Sequence, residues 1–108
     1  MHVARPDPVV AEFGARVRAV LGPNIEAVYW FGSRARGEGR PDSDYDLLLA
    51  TRRRLTETER DRVADVAVDL TVQWGVLLDI HMRTSEAMVR DATRSPLIAS
   101  VLKEAVAA

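Results

Sequence analysis

Residues Phe31 to Ala50 read FGSRARGEGRPDSDYDLLLA, and the fold turns on how this stretch divides. From Gly32 to Ser43 it carries three glycines, a proline and three arginines. Glycine and proline at that density break helix and strand alike, so this half is expected to be mostly loop, with one helical turn after Ser33. Tyr45 to Ala50 is nearly continuous in its apolar character, the pattern of a central strand. Just upstream, Ile25-Glu-Ala-Val-Tyr-Trp-Phe31 is β-branched and aromatic and lies between Pro23 and Gly32, which marks another strand. At the join, Asp44 and Asp46 alternate into the apolar run, where an uncompensated carboxylate is costly.

Outward from this stretch the pattern stays regular. Val10, Phe13, Val17 and Val20 recur at spacings of three and four after Asp7-Pro8 and before Gly22-Pro23, which predicts an amphipathic helix capped by Asp7. Thr56-Glu-Thr-Glu59 matches a capping box, and Val63, Val66, Leu70 and Trp74 follow at helical spacing until Gly75. Val76 to Met82 reads as a third strand, Ser85 starts a further helix, and Ser95-Pro96 opens a last one with Leu97, Val101 and Val106 on its apolar face. The order predicts one domain over residues 1–108, a small three- to four-stranded α/β (α+β) sheet with helices packed on it. Phe13, Trp30 and Trp74 are most simply core.

The bulk numbers exclude more than they assert. With 15 basic and 16 acidic residues in 108 and a net charge of -1, nothing favours bulk attraction to nucleic acid or a membrane surface. No cysteine is present, so disulfides and thiolate metal sites are excluded. The stretch MHVARPDPVV has no apolar core of signal-peptide length, and no segment reaches bilayer length, so a cytoplasmic location is expected by default.

The chemistry lies in the acids. Alternate strand residues share a face, so Asp44 and Asp46 are expected about 7 Å apart at their Cα atoms, with Leu48 continuing that face and Tyr45, Leu47 and Leu49 on the other. Two such carboxylates repel unless one holds a proton, solvent reaches them, or a cation neutralises them. All-oxygen ligation favours Mg²⁺ or Mn²⁺. Asp79, flanked by Leu78 and Ile80, reaches the same cluster if the third strand pairs beside the second. Three carboxylates can hold two ions roughly 3.5–4 Å apart, the spacing used for in-line phosphoryl transfer. Gly32 lets the backbone approach an anion, Ser33 offers a hydroxyl and an amide, and Arg34, Arg36 and Arg40 are placed to neutralise phosphate charge. His81 shares a strand face with Asp79 and reads as a structural histidine. Arg52-Arg53-Arg54 reads as solvated charge or a contact for an acidic partner.

Gly32-Ser33, ten intervening residues, then Asp44-Tyr45-Asp46 resembles the signature of the DNA polymerase β-like nucleotidyltransferases, and GSRARGEGRPDSDYDLLL with a later Asp79 is similar to their minimal (MNT) branch. The resemblance runs from about Ile25 to the closing helix and implies the polymerase β-like nucleotidyltransferase fold. It implies that Gly32 and Ser33 bind the terminal phosphates of a nucleotide, with Arg34 and Arg36 also on the nucleotide. It implies that Asp44 and Asp46 ligate two Mg²⁺ ions (Mn²⁺ being possible), and that Asp79 ligates the catalytic one and serves the attacking hydroxyl. It further implies ATP as substrate, and an acceptor that arrives on another protein: a tyrosine of a HEPN-type toxin, neutralised by transfer of AMP. Two other readings stand beside this one. The chain is a non-catalytic antitoxin that neutralises its partner by stoichiometric contact through its exposed parts and last helix, or it modifies a small molecule or RNA end.

Overall fold

In the computed structural model, which describes residues 7–40 and 43–108, Asp7 opens the first helix with its own side chain. Its Oδ1 accepts from the amides of Val9 and Val10 at 2.9 and 3.1 Å, satisfying donors that a helix start leaves unpaired. The helix α1 spans Pro8–Leu21, and a 3₁₀ turn at Gly22–Asn24 leads into β1, Ile25–Phe31. A single helical turn, α2 (Gly32–Ala35), follows at once. Then come β2 (Tyr45–Thr51), α3 (Glu57–Trp74), β3 (Leu78–Thr84), α4 (Ser85–Asp91), α5 (Pro96–Glu104) and β4 (Val106–Ala107). The sequence readings of residues 1–6 and of Pro41 and Asp42 lie outside the described residues.

The strands order as β3-β2-β1-β4 in one mixed sheet. β1 pairs antiparallel with β2 and with β4, while β2 and β3 run parallel, joined by α3. Central β2 buries Leu47, Leu48 and Leu49 completely. Its alternation splits the core as expected. Tyr45, Leu47 and Leu49 pack with Val10, Phe13, Val17, Val63, Val66 and Leu70 under α1 and α3. Leu48 and Ala50 pack with Phe31, Met88, Ile98 and Val101 under α4 and α5. Truncating a leucine at such a site costs about 2–5 kcal/mol.

α3 carries the predicted capping box, with the Thr56 side chain accepting from the Glu59 amide and the Glu59 carboxylate accepting from the Thr56 amide. Gly75 ends the helix in the left-handed conformation at φ 67°, which an L side chain rarely adopts. No helix among the described residues is long and apolar enough to cross a membrane.

Four expectations need correction. β3 runs from Leu78 to Thr84, two residues later than predicted. Trp74, the last residue of α3, is 41% exposed, whereas Leu70 one turn earlier is buried. Val106 belongs to β4 and pairs with Trp30, since α5 stops at Glu104. Of the apolar face expected of the last helix, Val101 and Val106 are buried and Leu97 is partly buried, whereas Leu102 of α5 is 57% exposed.

Candidate active site

The end of β1, the start of β2 and the start of β3 converge, because β1 runs against the other two. Phe31 stands opposite Asp46, and Asp46 stands beside Asp79 in the parallel pairing. Those registers place Asp46 and Asp79 on one face, the face that continues through Leu48 and His81. Asp44 lies just outside the sheet, exposed and immediately before Tyr45. Asp46 is half-buried, and desolvation together with the charges of Asp79 and then Asp44 pushes its carboxyl above the usual aspartate range. His81 and Arg36 pull the other way.

Gly32 closes this arrangement from the β1 side. Its φ is 83°, and a Cβ built on it overlaps Oδ2 of Asp46. Any other residue would have to displace the carboxylate, so glycine here is set both by backbone conformation and by the close approach of the acid. Ser33 follows in α2, and its carbonyl accepts from the Glu38 amide at 2.9 Å, turning the loop back on itself.

The arginines divide. Arg34 lies over the Tyr45 ring at 4.4 Å and donates through Nε to the Ser43 carbonyl at 2.5 Å, so it stitches the two ends of the loop together. Tyr45 itself stacks on Trp30 and donates to Oδ2 of Asp7 at 2.9 Å; burial first and Asp7 second push its hydroxyl above the ordinary range. Arg36 pairs with Glu38 and with Glu104 of α5, both at 2.9 Å, which tie the loop to the last helix and hold its pKa above the ordinary value. Arg40 has no side-chain partner among the described residues.

Asp79 departs from the expectation of a carboxylate in an apolar strand. Its side chain is 53% exposed because β3 is the sheet's edge. Its carboxylate stands 3.4 Å from Nε2 of His81. The His81 ring packs tilted on Phe31 with centroids 6.0 Å apart. Read from sequence as merely structural, His81 in fact lies within the acidic group. The spacing of two residues along one strand was the signal available.

The donor set fits a hard divalent cation. It offers only carboxylate oxygen at its centre, where Asp46 faces the charges of Asp79 and Asp44. The set is open: among the described residues no three acidic or histidine side chains are drawn together tightly enough to hold an ion as they stand. Exposed Asp44 and half-exposed Asp79 are the members with room to turn.

Residues 19–104 match the model of the family described as polymerase beta, nucleotidyltransferase. A Methanocaldococcus jannaschii protein assigned as a protein adenylyltransferase is 26% identical over 70 residues, which is 65% of this chain and 71% of that one. A solved structure assigned as a minimal nucleotidyltransferase is 33% identical, with a TM-score of 0.53, over 90% of this chain and 93% of that one. Two more distant structures share the fold. One is a toxin–antitoxin with AMP-PNP, 17% identical, TM-score 0.60, covering 88% of this chain and 68% of that one. The other is the spectinomycin adenyltransferase of Enterococcus faecialis, 20% identical, TM-score 0.66, matched over 75% of this chain. The chain spans only 35% of that enzyme's length.

Proposed function

We propose that this chain, which belongs to the polymerase β nucleotidyltransferase family, transfers AMP from ATP to a hydroxyl on a partner protein. The observation that carries the reading is Asp46: a half-buried carboxylate, crowded by Asp79 and Asp44, pressed against Gly32, where positive φ and the close approach of the acid both favour glycine. A fold that holds three like charges together stores repulsion, and a bound cation relieves it.

Asp44, Asp46 and Asp79 would hold divalent metal. When bound, such ions polarise the α-phosphate and offset charge on the leaving pyrophosphate. The chain's own residues then divide the work. Gly32 lets the terminal phosphates approach the backbone, and Ser33 offers a hydroxyl and an amide. Arg36, exposed at the loop's edge, trades a surface ion pair for a phosphate at small cost, since such pairs contribute little in water. Arg34 keeps the loop in shape from behind. Asp79, at the open edge, faces the side from which an acceptor arrives and takes or directs its hydroxyl proton.

The acceptor is proposed to be a tyrosine of a HEPN-type toxin, which makes this chain the antitoxin in the cytoplasm. The likeness to a toxin–antitoxin structure and the minimal-branch signature support this reading. The stoichiometric alternative keeps the exposed parts of the domain, Leu102 of α5 among them, but not Val101 and Val106, which are buried in the fold. Incubation with labelled ATP, Mg²⁺ and the protein encoded beside it should label that protein. Asp44→Ala and Asp46→Ala should abolish the label. Labelling that survives both substitutions removes the proposal.

A further inference from the structure

We infer that His81 is a positioning residue for Asp79, holding that carboxylate at the site against the repulsion of Asp46. The inference rests on the metal reading above and concerns a side chain that reading leaves unused.

Asp79 and Asp46 are register partners on adjacent strands, so their side chains rise from the same face of the sheet. Like charges in that position push apart, and Asp79 has an easy escape. It lies on the edge strand with its side chain 53% exposed, and among the described residues His81 is the side chain paired with it, Nε2 to Oδ2 at 3.4 Å. His81 is better anchored. Its side chain is 27% exposed, its ring leans on Phe31, and its register partner is the fully buried Leu48.

A braced ring beside a loose carboxylate is an orienting device. Nε2–H is present in the cation and in the Nε2-protonated neutral tautomer, so either form can donate. A small rotation of Asp79 brings the 3.4 Å contact to hydrogen-bond length. With the carboxylate held facing Asp46, less ordering is left for an incoming ion to impose. Partners that orient a ligating side chain typically change metal affinity by about 10–100-fold.

The test uses Mn²⁺ alone, titrated into the full chain and followed by electron paramagnetic resonance, with thermal unfolding as a check on folding. His81→Leu should weaken Mn²⁺ binding about tenfold. His81→Gln, whose amide reaches to the place of Nε2, should restore it to within about threefold of wild type, and His81→Asn, one carbon shorter, should not. Asp46→Asn should remove binding. Wild-type affinity in folded His81→Leu overturns the positioning role. So does a loss in His81→Gln as deep as in His81→Leu, which makes the imidazole a direct ligand or a packing group. If His81→Leu does not fold, the contrast between His81→Gln and His81→Asn decides in its place. Undiminished binding by Asp46→Asn overturns the metal reading and this inference with it, whereas loss there alone overturns only the part played by His81.

Discussion

The two ends of the sheet are built on opposite principles. At the end where β1 starts and β2 finishes, polar groups are matched. Asn24 is buried, donates to the Arg53 carbonyl at 3.3 Å and accepts from the Arg53 amide at 2.9 Å. Arg53 forks onto both oxygens of Glu59, and Arg52 donates to the Pro23 carbonyl. An open cleft of about 470 Å³ lies here, lined by Leu21, Pro23, Asn24, Arg52 and Arg53, and those lining groups are engaged in holding the turn. At the other end, Asp46 is crowded by Asp79 and Asp44, with His81 and Arg36 pulling against them. One end contributes stability, whereas at the other the crowding of Asp46 by Asp79 and Asp44 gives some up.

The contrast can be broken most sharply at Asp46. Asp46→Asn should lower AMP transfer at least about 100-fold, the scale of losing a group that stabilises transition-state charge. The same variant should unfold at a slightly higher temperature than wild type at neutral pH, because it removes a repelled charge. A variant that loses both activity and stability would mean that Asp46 is structural. Gly32→Ala should destabilise the fold by about 1–3 kcal/mol in denaturant titration, through positive φ and the collision with Asp46. Asn24→Ala, at the matched end, should cost about 2 kcal/mol by leaving the Arg53 backbone groups unpaired in a buried turn, while Mn²⁺ binding stays unchanged.

The smallest effect sharpens the comparison by its sign. Glu59 is held down to about 2, first by hydrogen bonding to Arg53 and then by the Thr56 amide. Its stabilisation is present above its ordinary value of 4.5 and disappears as pH falls from there toward 2. Asp46 is pushed up from 3.8, so the folded state takes a proton more readily than the unfolded chain, and stability declines as pH rises through the raised value. In unfolding curves from pH 2 to 8, the gap between wild type and Glu59→Gln should close toward acid. The gap between wild type and Asp46→Asn should open above about pH 4. Gaps of the same sign in both variants would dissolve the distinction between the ends.

Much of this molecule was legible before any coordinates. The limits of β1 follow from a β-branched run between Pro23 and Gly32, and those of α3 from the Thr56 box and Gly75, since these signals act within a few residues. The two faces of β2 follow from simple alternation. Other features depend on partners distant along the chain. That Trp74 is exposed at the end of its helix, and that Val106 pairs with Trp30 rather than extending α5, are two of these.

The sequence by itself determined which residues bring charge to the site: Asp44, Asp46 and Asp79, with the loop that begins at Gly32 and Ser33. Only the tertiary structure decided how they meet. Parallel pairing put Asp79 level with Asp46, and an edge position left it half exposed beside His81. The same fold turned Arg34 inward onto Tyr45 and tied Arg36 to Glu104. Alternation and capping are local rules, whereas strand order and register are chosen by which hydrophobic faces can be buried together.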